Sequence, residues 1–265
     1  MENKQLVLLQ KHVEILSREV GSFIRGELNI VEHSDIHEKD INSLVSYVDE
    51  TAEKTIVNSL QSQVEGAGFI TEENTVNQGR KEYTWIIDPL DGTSNFLNKI
   101  PHFSISIALQ HKEQLLLGVV YDIMRDTCFS AIKGGGLFVN GLPKQIGQVT
   151  TLDQAMVVTG FPYEKDSIFE ASFSILKYFL KNARGFRRLG SAALDLAYVA
   201  AGRLDVYYES NLNAWDVAAG VLLVQEAGGE VHDFQNQDNM LNNGEIIASN
   251  KHLMPSVLDV INRFR

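Results

Sequence analysis

Between residues 83 and 141 the chain sets one β-rich segment after another: "YTWIIDPLD", "SISIALQH", "LLLGVVYDI", "DTCFSAI" and "GLFVNG". Polar turns or glycines separate them, and this pattern predicts an antiparallel meander. Upstream, Leu6, Leu9, Val13, Leu16, Val20 and Phe23 recur at helical spacing, so the first segment reads as an amphipathic packing helix ending near Gly26. A second helix is expected over "SLVSYVDETAEKTIVNSL", and a short strand over "GFITEE". After about residue 150 the rhythm changes to strands alternating with helices, from "AMVVTGF" to "KHLMPSVLDVINRF". The reading is an α+β half over residues 1–150 joined to an α/β half over residues 151–265, with no repeat, low-complexity tract or linker.

Composition limits what such a chain does. At 265 residues and 44% hydrophobic content it can bury a full core. Its net charge of −11 and lack of a basic run argue against a nucleic-acid surface, which needs accumulated Lys and Arg. The single Cys128 cannot form an internal disulfide, and "MENKQLVLLQKHVEIL" scatters its charges instead of placing a basic segment before an apolar one. No apolar stretch approaches a membrane span, so the expectation is a soluble cytoplasmic protein.

The stretch "WIIDPLDGTSNF" is harder to read as core. It ends an apolar strand in Asp88 and Asp91, with Pro89 stiffening the turn and Gly92 allowing close backbone approach. The Thr, Ser and Asn that follow suit the first turn of a helix. Carboxylates favour a cation and free helix N–H groups favour an anion, and a magnesium-bound phosphate satisfies both. An isolated "DPLDG" is as readily a capped turn. Glu72 and Glu73 at the end of "FITEE", and Asp216 in the first turn of the helix opening "NAWDVAAG", tilt the balance, because acids at three element ends are what an oxygen-only site for a hard cation requires.

These residues carry a resemblance. "WIIDPLDGTSNF" and "WDVAAGVLLVQEAGG" resemble the two signatures of the inositol monophosphatase family of magnesium-dependent, lithium-sensitive sugar-phosphate phosphatases, and the order of "LVSYVD", "FITEE", "DPLDGT", "GSAA", "YYE" and "WDVAAG" is similar to the family pattern over nearly the whole chain. The resemblance implies a layered αβαβα sandwich, a homodimer, and hydrolysis of myo-inositol monophosphate or a related polyol phosphate by a metal-activated water, with two or three Mg2+ ions per site. It places metal ligands on Glu72, Asp88, the Leu90 carbonyl, Asp91 and Asp216. Thr93 and Asp49 fall on the residues that orient the water, with Glu72 beside them as a catalytic residue. On the substrate side it implies backbone N–H groups of Gly92 and Thr93 for the phosphate. Ser191, Ala192 and Glu209 fall around the polyol, bordered by Asp91 and Asp216. Departures are mild: Thr71 replaces a usual Gly before the Glu pair, Asn74 a usual Ser after it, and Ser43 a common Asp before "LV".

Physical chemistry agrees with that assignment. Four converging carboxylates carry about −4 and would take up protons if left alone. Divalent ions reverse the sign and draw an anionic phosphate to an acidic protein.

Other features carry weaker signals. His33 and His37 lie four apart but in the polar connection "HSDIHEKD"; Cys128 reads as core, and "IKGGGLFVNG" as a hairpin rather than a nucleotide loop. Tyr207, Tyr208 and Trp215 read as core. Arg187 and Arg188 stand just ahead of "GSAA", where Arg187 or its neighbour either grips a second phosphate or pairs with acids at a surface or subunit interface. A second phosphate would make fructose 1,6-bisphosphate the alternative substrate. A 3′-phosphoadenosine nucleotidase and a non-catalytic interaction protein on the same fold complete the alternatives.

Overall fold

A stripe of apolar residues four and three apart forms one face of helix α1 (Asn3–Glu27), which buries Leu6, Leu9, Val13, Leu16, Val20 and Ile24. A capping box between Glu2 and Gln5 opens it. Ile24 takes the innermost place at its end, with Phe23 only partly buried. The structure, a computed structural model, describes residues 1–31, 37–40, 43–161 and 167–265. His33 lies outside these residues. His37 opens strand β1 (His37–Asp40), which pairs antiparallel with β2 (Ser43–Val45), so it stands in a strand rather than in the polar connection expected.

The second helix is correspondingly shorter than the sequence predicted. Helix α2 (Tyr47–Leu60) begins only after Ser46, whose hydroxyl accepts from the Val48 N–H and whose own N–H donates to Asp49. That reciprocal cap fixes the start one residue after the extended "SLV".

The middle of the chain builds a seven-stranded sheet from β3 (Gly68–Thr71), β4 (Tyr83–Asp91), β5 (Ser104–His111), β6 (Gln114–Asp122), β7 (Thr127–Ile132), β8 (Gly136–Val139) and β9 (Leu142–Lys144), in sequential order, with the short helix α3 (Thr93–Leu97) between β4 and β5. Strand β3 joins parallel to β4, and every later pair is antiparallel. Strand β9 was not anticipated. It follows a two-residue turn in which Asn140 (φ +47°) and Gly141 (φ +76°) both have positive φ, the geometry that tight hairpins favour.

The remainder supplies β10 (Met156–Thr159), α4 (Ser167–Asn182), β11 (Gly185–Arg187), α5 (Ala192–Ala200), β12 (Val206–Glu209), α6 (Ala214–Glu226), β13 (Glu230–His232), α7 (Met240–Asn243), β14 (Ile246–Ser249) and α8 (Met254–Phe264). Its five strands run in the order β11-β10-β12-β14-β13, parallel around β10 and antiparallel around β14.

Three apolar clusters stack these parts into five layers. One face of the larger sheet packs on α1 and α2. Its other face meets α5 and α6, which also cover the inner face of the smaller sheet. The outer face of the smaller sheet carries α4 and α8. The fold is therefore an α/β/α/β/α sandwich. Helix α6 shows the consequence in its sequence: Val217 to Val224 are all buried, as a helix lying between two sheets must be. Each such Val or Leu contributes about 1.5–3 kcal/mol of burial. The helices between the two sheets, α5 and α6, start beside the C-terminal end of β4, where the Ala193 N–H reaches Asp91 and Asp216 acts on Asp88.

Candidate active site

The end of β4 breaks its pairing with β5 between Asp88 and Asp91. Pro89 has no N–H to give to the ladder, and the Leu90 N–H turns back to Asp88 Oδ1 at 2.9 Å. Gly92 follows with φ +97°, where a Cβ would stand 3.1 Å from Gly190 O and 3.2 Å from His102 O. Only glycine suits both the dihedral and the space. Thr93 then opens α3, its Oγ1 lying 3.0 Å from Leu90 O and 3.2 Å from Asp49 Oδ1. Asp49 is held in turn on α2, where its Oδ2 accepts from the Ser46 N–H at 2.9 Å and the Ser46 hydroxyl at 2.7 Å. Burial raises the Asp49 pKa above the usual carboxylate value, against the lowering effect of its Ser46 and Thr93 hydrogen bonds.

Asp91 meets a different partner, the start of α5. Its Oδ2 accepts from the Ser191 hydroxyl at 2.5 Å, the Ala193 N–H at 2.8 Å and the Ser104 hydroxyl at 3.4 Å. The N-terminal dipole of α5 thus stabilises a carboxylate of the chain itself. Oδ2 is crowded with donors, which makes Oδ1 the oxygen suited to a cation. Ser191 therefore gives its proton to Asp91, while its oxygen caps α5. Asn95 secures this junction by donating to His102 O at 2.7 Å and Leu189 O at 2.9 Å.

Asp216 lies in the first turn of α6, where its Oδ2 accepts from the Asn213 N–H at 2.6 Å. The Ser106 hydroxyl donates to Trp215 O at 3.1 Å and ties that turn to β5. Glu72 follows β3 directly and extends its ladder through an N–H bond to Ile87 O. These four acids come from the ends of three elements, β3, β4 and α6, and act on one another. Burial raises the Asp88 pKa well above the carboxylate range, and the charges of Glu72, Asp91 and Asp216 push it further; Glu72 also hydrogen-bonds it. Burial, then Glu72 and Asp91, do the same to Asp216. Asp91 is raised by burial despite its donors. Among the described residues, no three His, Cys, Asp or Glu side chains already surround a common point at coordinating distance. The acids form an electrostatic neighbourhood rather than a finished coordination shell. The donor set is all oxygen and anionic, which fits Mg2+ and disfavours softer metals.

Glu209 ends β12 beside this cluster. It accepts from the Tyr207 hydroxyl at 2.8 Å and from the Gly160 backbone, and burial lifts its pKa to about 7 against the lowering effects of Tyr207 and Arg188. Tyr207 and Tyr208 are both buried, as expected of core residues. Asp195 on α5 is also buried; burial, followed by Glu209 and Asp91, raises its pKa well above normal, while Arg188 lowers it. The two arginines diverge. Arg187 is exposed on edge strand β11 and turns its Nη1 onto Phe186 O at 2.8 Å, whereas Arg188 acts on Asp195 and Glu209. Asp195, Asn95, Ser104 and Gly160 were missed from sequence. Only Asn95 carried a signal, as the next polar residue after "DGTS".

The sequence model of the inositol monophosphatase family matches residues 6–263. The chain belongs to the inositol monophosphatase family. Among its relatives is the Nus factor SuhB of Haemophilus influenzae, 38% identical over 92% of both chains. Solved structures agree. The extragenic suppressor protein suhB of Bartonella henselae superposes with a TM-score of 0.90 at 33% identity, over 97% of this chain and 99% of the other. An IMPase of Thermotoga maritima superposes with a TM-score of 0.87 at 30% identity, over 95% and 96%. Family members of both descriptions thus share the layered sandwich found here.

Proposed function

We propose that this family member is a magnesium-dependent phosphatase that hydrolyses myo-inositol monophosphate or a related polyol monophosphate. The observation that carries the reading is the gathering of Glu72, Asp88, Asp91 and Asp216 from three parts of the chain, with the pKa values of Asp88, Asp91 and Asp216 raised, a set that a multivalent cation would leave ionised together. Glu72, Asp88, Asp91, Asp216 and the Leu90 carbonyl would hold two or three Mg2+ ions. Bound there, Mg2+ supplies charge for the phosphate oxygens and acidifies water.

The chain's own residues do the rest. Thr93 and Asp49, already paired, orient the attacking water and receive its proton through the Thr93 hydroxyl. Backbone N–H groups of Gly92 and Thr93 face the phosphate. Glu209, with Ser191 and Ala192 nearby, orients the polyol. Arg188 already faces Asp195 and Glu209 of the chain itself, and Arg187 turns onto Phe186 O, which favours a monophosphate over a bisphosphate. The homodimer belongs to this reading, with exposed Phe161, Phe173 and Leu180 as apolar surface for it.

A second reading, an interaction protein on the same fold, is favoured by one observation, the name Nus factor carried by relatives 38% identical. Phosphate release from inositol 1-phosphate, fructose 1,6-bisphosphate, glycerol 2-phosphate and a 3′-phosphoadenosine nucleotide, with and without Mg2+, separates the readings. The phosphatase reading expects Mg2+-dependent turnover, greatest on inositol 1-phosphate. Absence of turnover on the whole panel leaves the interaction reading.

A further inference from the structure

One turn beyond Asp49, α2 buries a second acid, Glu53, with no exposed surface at all. Its partners lie in the loop after β3. Glu53 Oε2 accepts from the Glu73 N–H at 2.7 Å, and Oε1 accepts from the Thr75 N–H at 2.7 Å and the Thr75 hydroxyl at 2.6 Å. Between those two amides Asn74 takes φ +54°, so the flanking N–H groups converge as a backbone nest for an anion. The anion is the chain's own carboxylate. Asn74 Nδ2 also donates to Glu72 O at 3.1 Å. On the other side of Glu72, Gln78 holds Thr71 twice, accepting from its N–H and donating to its hydroxyl, each at 2.8 Å. The two departures at Thr71 and Asn74 are thus the residues that make these grips. Glu72 sits between them, one residue after Thr71 and two before Asn74, in a segment that repulsion from Asp88 and Asp216 would otherwise push outward.

We infer that Glu53 is a positioning residue that holds Glu72 against this repulsion and so sets the affinity of the site for its divalent cation. Helix α2 is then a bar that keeps Glu72 in register with the Asp49–Thr93 pair, since Asp49 and Glu53 are four residues, or about 6 Å of rise, apart on one face. The inference rests on the metal-dependent phosphatase reading.

Glu53→Gln tests it. The amide keeps the side chain's size but has one oxygen, so either the Glu73 or the Thr75 N–H must face an NH2 group. Mg2+ affinity is read by tryptophan fluorescence, because Trp85 precedes Asp88 on β4 and Trp215 adjoins Asp216, and independently by the rise of the unfolding temperature with Mg2+. Glu53→Gln should raise the half-saturating Mg2+ concentration about ten- to a hundredfold, the range for outer-shell partners of a metal site. At saturating Mg2+ the KM for inositol 1-phosphate should be unchanged. Thr75→Val, which removes only the hydroxyl donor, should move the Mg2+ midpoint in the same direction by a smaller factor and serves if the Gln variant does not fold. Leu60→Ala, buried at the far end of α2, should lower the unfolding temperature and leave the Mg2+ midpoint in place. A wild-type midpoint in both Glu53→Gln and Thr75→Val, or an equal shift in Leu60→Ala, overturns the inference while the phosphatase reading stands. A wild-type chain with no Mg2+ response by either physical readout sinks the phosphatase reading, and the inference with it.

Discussion

Gly160 and Glu209 show how closely single residues define the site. A Cβ at Gly160 would stand 1.8 Å from Glu209 Oε1, so an added methyl must displace the carboxylate from the place where Tyr207 and the Gly160 backbone hold it. Gly160→Ala should therefore copy Glu209→Ala: both weaken discrimination among alcohol portions about ten- to a hundredfold, the worth of a charged hydrogen bond of about 1.5–3 kcal/mol, and both leave the Mg2+ midpoint alone. Relative kcat/KM for inositol 1-phosphate and glycerol 2-phosphate measures this. A loss shared equally by the two substrates would take Glu209 out of polyol recognition. At this scale the sequence was readable where a side chain declared its chemistry, as Asp88, Asp91 and Asp216 did at element ends. It was silent at Gly160, whose role is the space it leaves, and at Asp195, whose neighbours Glu209 and Asp91 are distant in sequence.

Helix α5 illustrates the element scale. Ser191 serves twice, as N-cap through its oxygen and as proton donor to Asp91, so one substitution affects fold and site together. Ser191→Ala should cost about 1 kcal/mol of stability for the lost cap. It should also weaken Mg2+ binding about tenfold, because Asp91 loses its shortest donor. Chemical denaturation and Mg2+ titration read the two effects separately; a loss of stability with unchanged Mg2+ affinity would confine Ser191 to capping. The elements themselves were legible where periodicity was long, as in α1 and the meander from β4 to β8. The short strands β9, β11 and β13 were not, since three residues carry too little pattern to distinguish from loop. The start of α2 was misjudged because "SLV" reads equally as helix or strand, and the Ser46 cap decides it.

Across the whole molecule, a net charge of −11 and a concentrated acidic pocket make stability depend on protons and cations together. Asp88, Asp195 and Asp216 are raised well above the carboxylate range, and Glu209 to about 7. A raised carboxylate contributes stability that is complete below its unfolded pKa and is lost as pH rises through its folded pKa. In chelator the unfolding temperature should fall as pH rises from about 5 to 8, and Glu209→Gln should flatten the part of that fall near pH 7. Mg2+ competes with those protons, so its stabilising effect should be larger at pH 8 than at pH 5, reaching about 2.7 kcal/mol at a hundredfold excess over its dissociation constant. An unfolding temperature indifferent to Mg2+ at both pH values would contradict this.

The most direct test of the central claim is phosphate release from inositol 1-phosphate across a Mg2+ titration, in the wild-type chain and in Asp91→Asn. The amide oxygen can still accept from Ser191 and Ala193, so the fold persists, while the charge presented to the cation is gone. The account predicts Mg2+-dependent turnover in the wild type and a loss in the variant exceeding the ten- to hundredfold effects of outer-shell changes, about a hundredfold or more, with its unfolding temperature in chelator unchanged or slightly higher. Equal turnover by the two proteins at saturating Mg2+ would contradict it.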